Sequence, residues 1–515
     1  ESIAIVHNGI IENYLKIKEK LVAKGYHFQS ETDTEVVAQY LSYLYKGDPI
    51  EAITKLMHRV EGSYAFGIIF KDRPEELFAV RKDSPLIVGI GEKGNLIASD
   101  VPAILKYTRT VFYIQNEEIA MLKKDSVCFY NVDGEEIQKE PATIEWDINA
   151  AEKDGYDHFM LKEMYEQPKT VRDTISPRIK DGKIEIEELG MTDEEIKAIN
   201  KIIIVACGSA YHTGVTAKYV LEGMARISVE VDVASEFRYR NPILEKDTLV
   251  VVVSQSGETA DSLAALRLAK SRGTTTLAIV NVVGSSIARE ADKVMYTWAG
   301  PEIAVATTKA YSAQLIAHYL LAMKFAQVRG TITDLEIQSM QKELLKLPQQ
   351  IELLLNHKDN IQRFANRYLA AQSVFFIGRG IDYSIAMEGS LKLKEISYVH
   401  SEAYAAGELK HGTISLIEEG TLVVAIATQE ALFQKTQSNI TEVKSRGAFV
   451  MAVTNAENME MENVADFVIY IPSTNAYFAN SLAIIPLQLF SYYISIGKGC
   501  DVDKPRNLAK SVTVE

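Results

Sequence analysis

The strongest constraint on the fold is a repeat. Ile204-Val-Ala-Cys-Gly208 with Tyr211 is matched by Phe376-Ile-Gly-Arg-Gly380 with Tyr383, 172 residues later. Lys270-Ser-Arg-Gly273 recurs as Lys444-Ser-Arg-Gly447, Asn281 as Asn455, and Ala291-Asp292 as Ala465-Asp466, each 174 residues on. Ser235-Glu236 and Ser401-Glu402 supply a fifth anchor, at 166. Anchors in one order predict a duplicated domain. The rise from 166 to 174 predicts an eight-residue insertion in the second copy, in the segment that holds His411.

Within the repeat, Ile202–Val205, Thr248–Val253 and Leu277–Val280 are unbroken apolar runs, mostly β-branched. Such runs suit strands buried on both faces of a parallel sheet, with amphipathic helices between them. The first 135 residues differ. Short strand-like runs (Ala65–Phe70, Leu86–Ile90, Thr110–Ile114) alternate with turns such as Asn131-Val-Asp-Gly134, and a helix is expected over Thr34–Leu44. That texture predicts an α+β domain with antiparallel sheet. A polar stretch with Pro141, Pro168 and Pro177 follows and predicts a linker with one helix around His158–Glu166. The chain of 515 residues has room for this layout. The fold class expected is α/β multidomain: an α+β domain over 1–145, a linker over 146–190, doubly wound parallel-sheet domains over 191–335 and 336–500, and a polar tail over 501–515.

Composition excludes several functions. The net charge of −14, with no basic block, argues against general nucleic-acid binding. Three cysteines, Cys128, Cys207 and Cys500, are too few for a disulfide framework and point to a reducing compartment. No His/Cys cluster has metal-site spacing. Ser481–Gly497 is apolar, but Pro486 and Gln488 interrupt it, so no membrane span is expected. No signal peptide is evident. The chain opens on Glu1 and runs at once into the strand-like Ser2–His7, as a fragment or processed product would.

Four segments carry chemistry. Ser254-Gln-Ser-Gly-Glu-Thr259 joins a buried strand to a helix over Asp261–Lys270. Free backbone N–H groups and three hydroxyls around Gly257 make a phosphate cradle; the plain alternative is N-capping by Ser256 or Thr259. Cys207-Gly-Ser209 adds donors at the neighbouring strand end, with Cys207 read as a small buried residue. The second copy has Thr428-Gln-Glu-Ala-Leu-Phe433 at the place of the serine loop, so one anion site per pair is expected. Glu388, Lys392 and Glu395 share a helix face, and that spacing reads first as a solvated ion-pair ladder. His411, in a glycine-flanked loop, is an acid/base candidate. Lys510 lies in a tail of the kind that usually frays, although a tail lysine can close over a site and attack a carbonyl.

Taken together, Ser254–Thr259, Lys392-Leu-Lys-Glu395, Ala405–His411 and the tail Pro505–Glu515 resemble the glucosamine-6-phosphate synthase family, the isomerising glutamine–fructose-6-phosphate aminotransferases. The resemblance runs over essentially the whole chain. It implies an amidotransferase domain of the N-terminal-nucleophile type followed by two sugar isomerase (SIS) domains. The substrates implied are fructose 6-phosphate and glutamine, with no cofactor, metal, nucleic acid or membrane, in the cytoplasm. Ser254, Gln255, Ser256 and Thr259 would hold the sugar phosphate, with Ser209 assisting and Val305 also at the substrate. Lys510 would form an imine at C2, Glu395 would move the proton between C1 and C2, and Lys392 would support it. His411 would open the sugar ring and come from the neighbouring subunit, which implies a homodimer. Asn8 and Gly9 match the oxyanion segment and Asp33 the binder of the glutamine amine. Unaided, His7-Asn-Gly9 reads as a strand-to-turn corner and Asp33 as an N-cap. The chain departs from the family in two ways: no cysteine precedes His7, which puts glutaminase chemistry in doubt, and Ala210 replaces a serine found in some relatives. A phosphosugar isomerase without amide transfer and a sugar-phosphate-sensing module remain the alternatives.

Overall fold

The computed structural model describes residues 2–144, 152–180 and 182–513. Residue 145 of the expected first domain, 146–151 and 181 of the expected linker, and 514–515 of the tail lie outside them. The chain divides into two units: Glu1–Glu152 with Glu258–Ala260 and Ser511–Glu515, and Lys153–Gly257 with Asp261–Lys510.

The first unit is built on an antiparallel sheet of six strands, in the order Ile3–Ile11, Gly62–Phe70, Leu77–Lys82, Ile119–Leu122, Val127–Tyr130, Glu136–Ile137. A second, four-stranded antiparallel sheet contains Thr110–Tyr113 and Ile87–Gly89. Helices Tyr14–Val22, Asp33–Leu44 and Pro49–Met57 bury Leu21, Val37 and Ile53 with Phe66 and Phe70 of the larger sheet. Alternation along Gly62–Phe70 explains the layering. Ala65 joins a second apolar cluster with Val88 and Ala120, while Phe66 and Ile68 join the helix-covered one.

The second unit holds two five-stranded parallel sheets with one topology. The orders are Ser228–Val233, Lys201–Ala206, Thr248–Ser254, Thr275–Val280, Lys293–Tyr296, and His400–Ala405, Ser373–Gly378, Leu422–Ala427, Phe449–Asn455, Phe467–Ile471. The duplication also explains two conserved anchors. Lys270 and Asp292 pair at 3.3 Å while Asp292 accepts from the Thr276 N–H; Lys444 and Asp466 pair at 2.7 Å while Asp466 accepts from the Val450 N–H. The same clamp ties helix to edge strand in each copy.

One anchor is wrong. The first two strands match at an offset of 172 and the fourth at 174, so the second copy carries two extra residues rather than eight. Ser235 lies in a short helix after its strand, whereas Ser401 lies inside one. Chance identity of a dipeptide produced the larger figure.

The expected linker also differs. Helix Phe159–Ile175 runs past Glu166 and through Pro168, because Met160, Met164, Val171 and Ile175 form a buried stripe that packs with Leu315 and Leu344 of the second unit. Its first N–H groups, on Phe159 and Met160, donate to the Asp503 carboxylate at 2.9 and 2.8 Å. Helix Ala479–Gly497 likewise continues through Pro486. By length and composition it could cross a bilayer, but its most apolar stretch is 94% buried inside the protein. It is a core helix, packed with Ile385 and Leu393.

Candidate active site

Parallel strands place their following loops at one edge of the sheet. Register pairs Ala206 with Val253, so Cys207–Ser209 and Ser254–Gly257 leave adjacent strands side by side. Gly257 has φ +66°, and its N–H donates to Ser254 Oγ at 3.0 Å. A Cβ there would lie 2.0 Å from Ser285 Oγ. Gly257→Ala is therefore expected to distort the loop at a cost of about 1–3 kcal/mol and to weaken the binding of a phosphate anion there about tenfold or more. An unchanged anion affinity would exclude this loop as an anion cradle. Helix Ala260–Ser271 follows the loop, as expected from about Asp261. The Cys207 thiol is pushed up by burial, which suits a packing residue and not a nucleophile.

The second copy shows why its loop differs. Asp382 stands at the position of Ala210 in the repeat. Its carboxylate accepts from the Thr428 N–H at 2.8 Å and from the Thr428 hydroxyl. Gln429 Nε2 also reaches it, at 3.4 Å. The protein's own carboxylate fills the place where the first copy presents donors.

The ladder on helix Ile381–Ser397 is not solvated. Glu388 and Lys392 are fully buried, and the Glu395 side chain is 16% exposed. Lys392 Nζ pairs with Glu395 and lies 3.4 Å from Glu388 Oε1. The helix is flanked by helices Gly208–Met224 and Ala479–Gly497, and on this face Glu388 meets His212 of the first of them. His212 Nδ1 is 2.7 Å from Glu388 Oε2. Burial would raise the Glu388 carboxyl, but Lys392, His212 and Ser209 outweigh it and hold it below the usual range. Burial would lower Lys392; the Glu395 and Glu388 carboxylates reverse that. Glu395 stays raised, because burial exceeds the pull of Lys392.

The tail up to Lys510 is docked, not frayed. The Val305 N–H donates to the Asp503 carbonyl at 3.0 Å, and the Arg506 N–H donates to the Tyr398 hydroxyl at 2.9 Å. Lys510 Nζ donates to Glu302 Oε2 at 2.6 Å and to the Ala304 carbonyl at 2.8 Å. Its charge is among those acting on Glu395. Lys510, Lys392 and Glu395 thus form one electrostatic group. His411 is exposed at the end of the short turn Ala406–His411, and among the described residues no side-chain hydrogen bond ties it to that group.

Sequence reasoning missed Glu302, His212 and Asp382. Glu302 had a signal: it is the one charge between Gly300 and Thr308. His212 had none, since its partner sits 176 residues away.

In the first unit, His7-Asn8-Gly9 is not a corner but the middle of strand Ile3–Ile11, where Gly9 pairs with Tyr64. Gly9 has φ +144°, and a Cβ would lie 2.1 Å from the Ser63 carbonyl oxygen. Asn8 Nδ2 donates to Thr513 Oγ1 at 3.2 Å. The cap of helix Asp33–Leu44 is Thr32, not Asp33; its hydroxyl accepts from the Glu35 N–H. The Asp33 carboxylate instead accepts from the Ile11 N–H at 2.8 Å, tying the helix start to the strand end.

Comparisons with known proteins agree with this architecture. A glutamine amidotransferase domain profile matches residues 1–106, and the SIS domain profile matches twice, at 195–324 and 368–496. The chain is thus an amidotransferase domain joined to a tandem of SIS domains. It is 58% identical over its full length to the glutamine–fructose-6-phosphate aminotransferase (isomerizing) of Caldanaerobacter subterraneus subsp. tengcongensis, covering 84% of that protein. The same enzyme of Clostridium acetobutylicum is 57% identical, with 85% covered. Among solved structures, the C-terminal domain of glucosamine-fructose-6-phosphate aminotransferase from Francisella tularensis matches with a TM-score of 0.66 and 39% identity, over 68% of this chain and all of that one. The chain belongs to the glutamine–fructose-6-phosphate aminotransferase (isomerizing) family.

Proposed function

We propose that the second unit converts fructose 6-phosphate to glucosamine 6-phosphate with glutamine-derived ammonia. The observation that carries this is the docking of Lys510 beside a buried carboxylate, with its charge felt at Glu395. The phosphate is held by Ser254, Gln255, Ser256 and Thr259, with Ser209 assisting and Val305 lining the sugar. Lys510 Nζ attacks C2; the C–N bond forms, the C2–O bond breaks, and the oxygen leaves as water. Ammonia then displaces the lysine and leaves an imine at C2. Glu395 removes a proton from C1, an enol-amine forms, and the proton returns to C2, giving the aldehyde with an amine at C2. Lys392 holds Glu395 in place. Without nitrogen, water hydrolyses the lysine imine to the open-chain ketone and frees Lys510, and the same C1-to-C2 proton transfer, through an enediol, gives glucose 6-phosphate.

His411 opens the sugar ring from a partner subunit, which makes the working form a homodimer; its exposure on its own chain supports this. Asn8 and Gly9 supply the oxyanion site and Asp33 binds the glutamine amine. Three cysteines without disulfide partners fit a cytoplasmic setting.

A pH test follows from Glu395. As a base it must be ionised, and burial raises its carboxyl above the ordinary 4.5. The rate is expected to rise with pH as that carboxyl loses its proton, with the acid limb of kcat lying above 4.5. An acid limb at or below 4.5 would exclude Glu395 as the base.

A further inference from the structure

We propose that Glu302 is the counter-ion of the Schiff base at Lys510 and sets the position from which that amine attacks. This rests on the Schiff-base reading above and extends it to a residue that reading does not use.

The geometry is specific. Glu302 is fully buried, in the irregular segment between strand Lys293–Tyr296 and helix Lys309–Arg329. One carboxylate oxygen accepts from the Thr308 and Ala310 N–H groups, at 2.9 and 3.1 Å. The other accepts from the Thr307 hydroxyl and from Lys510 Nζ. Three fixed donors therefore set the carboxylate before the lysine arrives. Its neighbours are fixed from the other side, because Glu163, buried on helix Phe159–Ile175, accepts from the Ile303 and Ala304 N–H groups. The same helix holds the root of the tail through Asp503. The point where Nζ sits is thus determined at both ends of the tail.

The chemistry needs a charge at that point. When Nζ bonds C2 and water leaves, the protonated imine keeps the positive charge that the ammonium had. That charge makes C2 electrophilic, so that ammonia adds there and the lysine leaves. A buried carboxylate 2.6 Å from Nζ balances the ammonium and the iminium alike, with no reorganisation between them. A buried carboxylate without a cation would be costly, so the Lys510 ammonium also offsets the burial of Glu302.

A merely structural Glu302 would serve only as an acceptor for the start of helix Lys309–Arg329. Glu302→Gln separates the two roles, since its amide oxygen still accepts from Thr308 and Ala310 while the charge is gone. Three readouts are taken on the full chain: kcat and KM with fructose 6-phosphate and ammonium, borohydride-trapped adduct at the Lys510 peptide with fructose 6-phosphate alone, and thermal midpoint. Expected for Glu302→Gln are a kcat lower by at least a hundredfold, a KM within threefold of wild type, and a matching loss of trapped adduct. Glu302→Asp keeps the charge but shortens its reach, and is expected to recover at least tenfold of the lost kcat without reaching wild type. The proposal is overturned if Glu302→Gln turns over and traps like wild type. It is equally overturned if folded Glu302→Asp matches either the wild type or Glu302→Gln; this comparison with wild type decides the matter even if Glu302→Gln fails to fold. Failure of wild type itself to trap an adduct at Lys510 would instead reject the Schiff-base reading.

Discussion

Lys510→Ala is expected to lower turnover of fructose 6-phosphate on the order of a thousandfold or more, while the sugar phosphate still binds. Alanine removes the nucleophile proposed above, and the phosphate contacts proposed there lie elsewhere, in the serine loop after strand Thr248–Ser254. The variant also strips Glu302 of its cation, so lost activity could be confused with lost structure. Lys510→Arg resolves this. It keeps a positive charge for Glu302, but a guanidinium stays protonated and does not form the imine. Both variants should therefore be inactive, with KM or phosphate affinity near wild type, and the arginine variant should melt closer to wild type than the alanine one. Activity in either variant would reject Lys510 as the imine-forming residue.

Lys392→Met is expected to destabilise the second unit by about 3–5 kcal/mol, the usual cost of removing one partner from a buried ion pair. Lys392 is fully buried between Glu388 and Glu395, so methionine would leave two buried carboxylates without the cation that lies between them. The sign of a compensating change follows from the same argument. Adding Glu388→Gln and Glu395→Gln removes the stranded charges and should recover much of the stability, but no activity. Urea unfolding followed by intrinsic fluorescence reads the first effect, and product assay the second. A melt unchanged by Lys392→Met would mean the ladder is solvated after all.

That ladder marks the limit of what the chain alone discloses. Spacing on one helix places Glu388, Lys392 and Glu395 on a face, but burial depends on what packs there. The partner His212 comes from helix Gly208–Met224, nearly two hundred residues earlier. Local patterns served well where the cause was local. The unbroken β-branched runs became central parallel strands, and the turn at Asn131–Gly134 joins strands Val127–Tyr130 and Glu136–Ile137. They served poorly where tertiary packing overrode a local signal. Pro168 suggested a linker, yet a buried stripe carries the helix through it. Asp33 suggested a cap, yet Thr32 takes that role and frees Asp33 to bind the end of the first strand. The serine loop was legible because its residues are contiguous. The seat of Lys510 was not, because Glu302 and Lys510 stand 208 residues apart.

The most direct test incubates this chain with fructose 6-phosphate alone, with ammonium, and with glutamine, and assays glucose 6-phosphate, glucosamine 6-phosphate and glutamate. The account predicts glucose 6-phosphate from the sugar alone and glucosamine 6-phosphate once nitrogen is supplied, both abolished by Lys510→Ala. A folded chain that binds fructose 6-phosphate and yields neither product under any of the three conditions would contradict it.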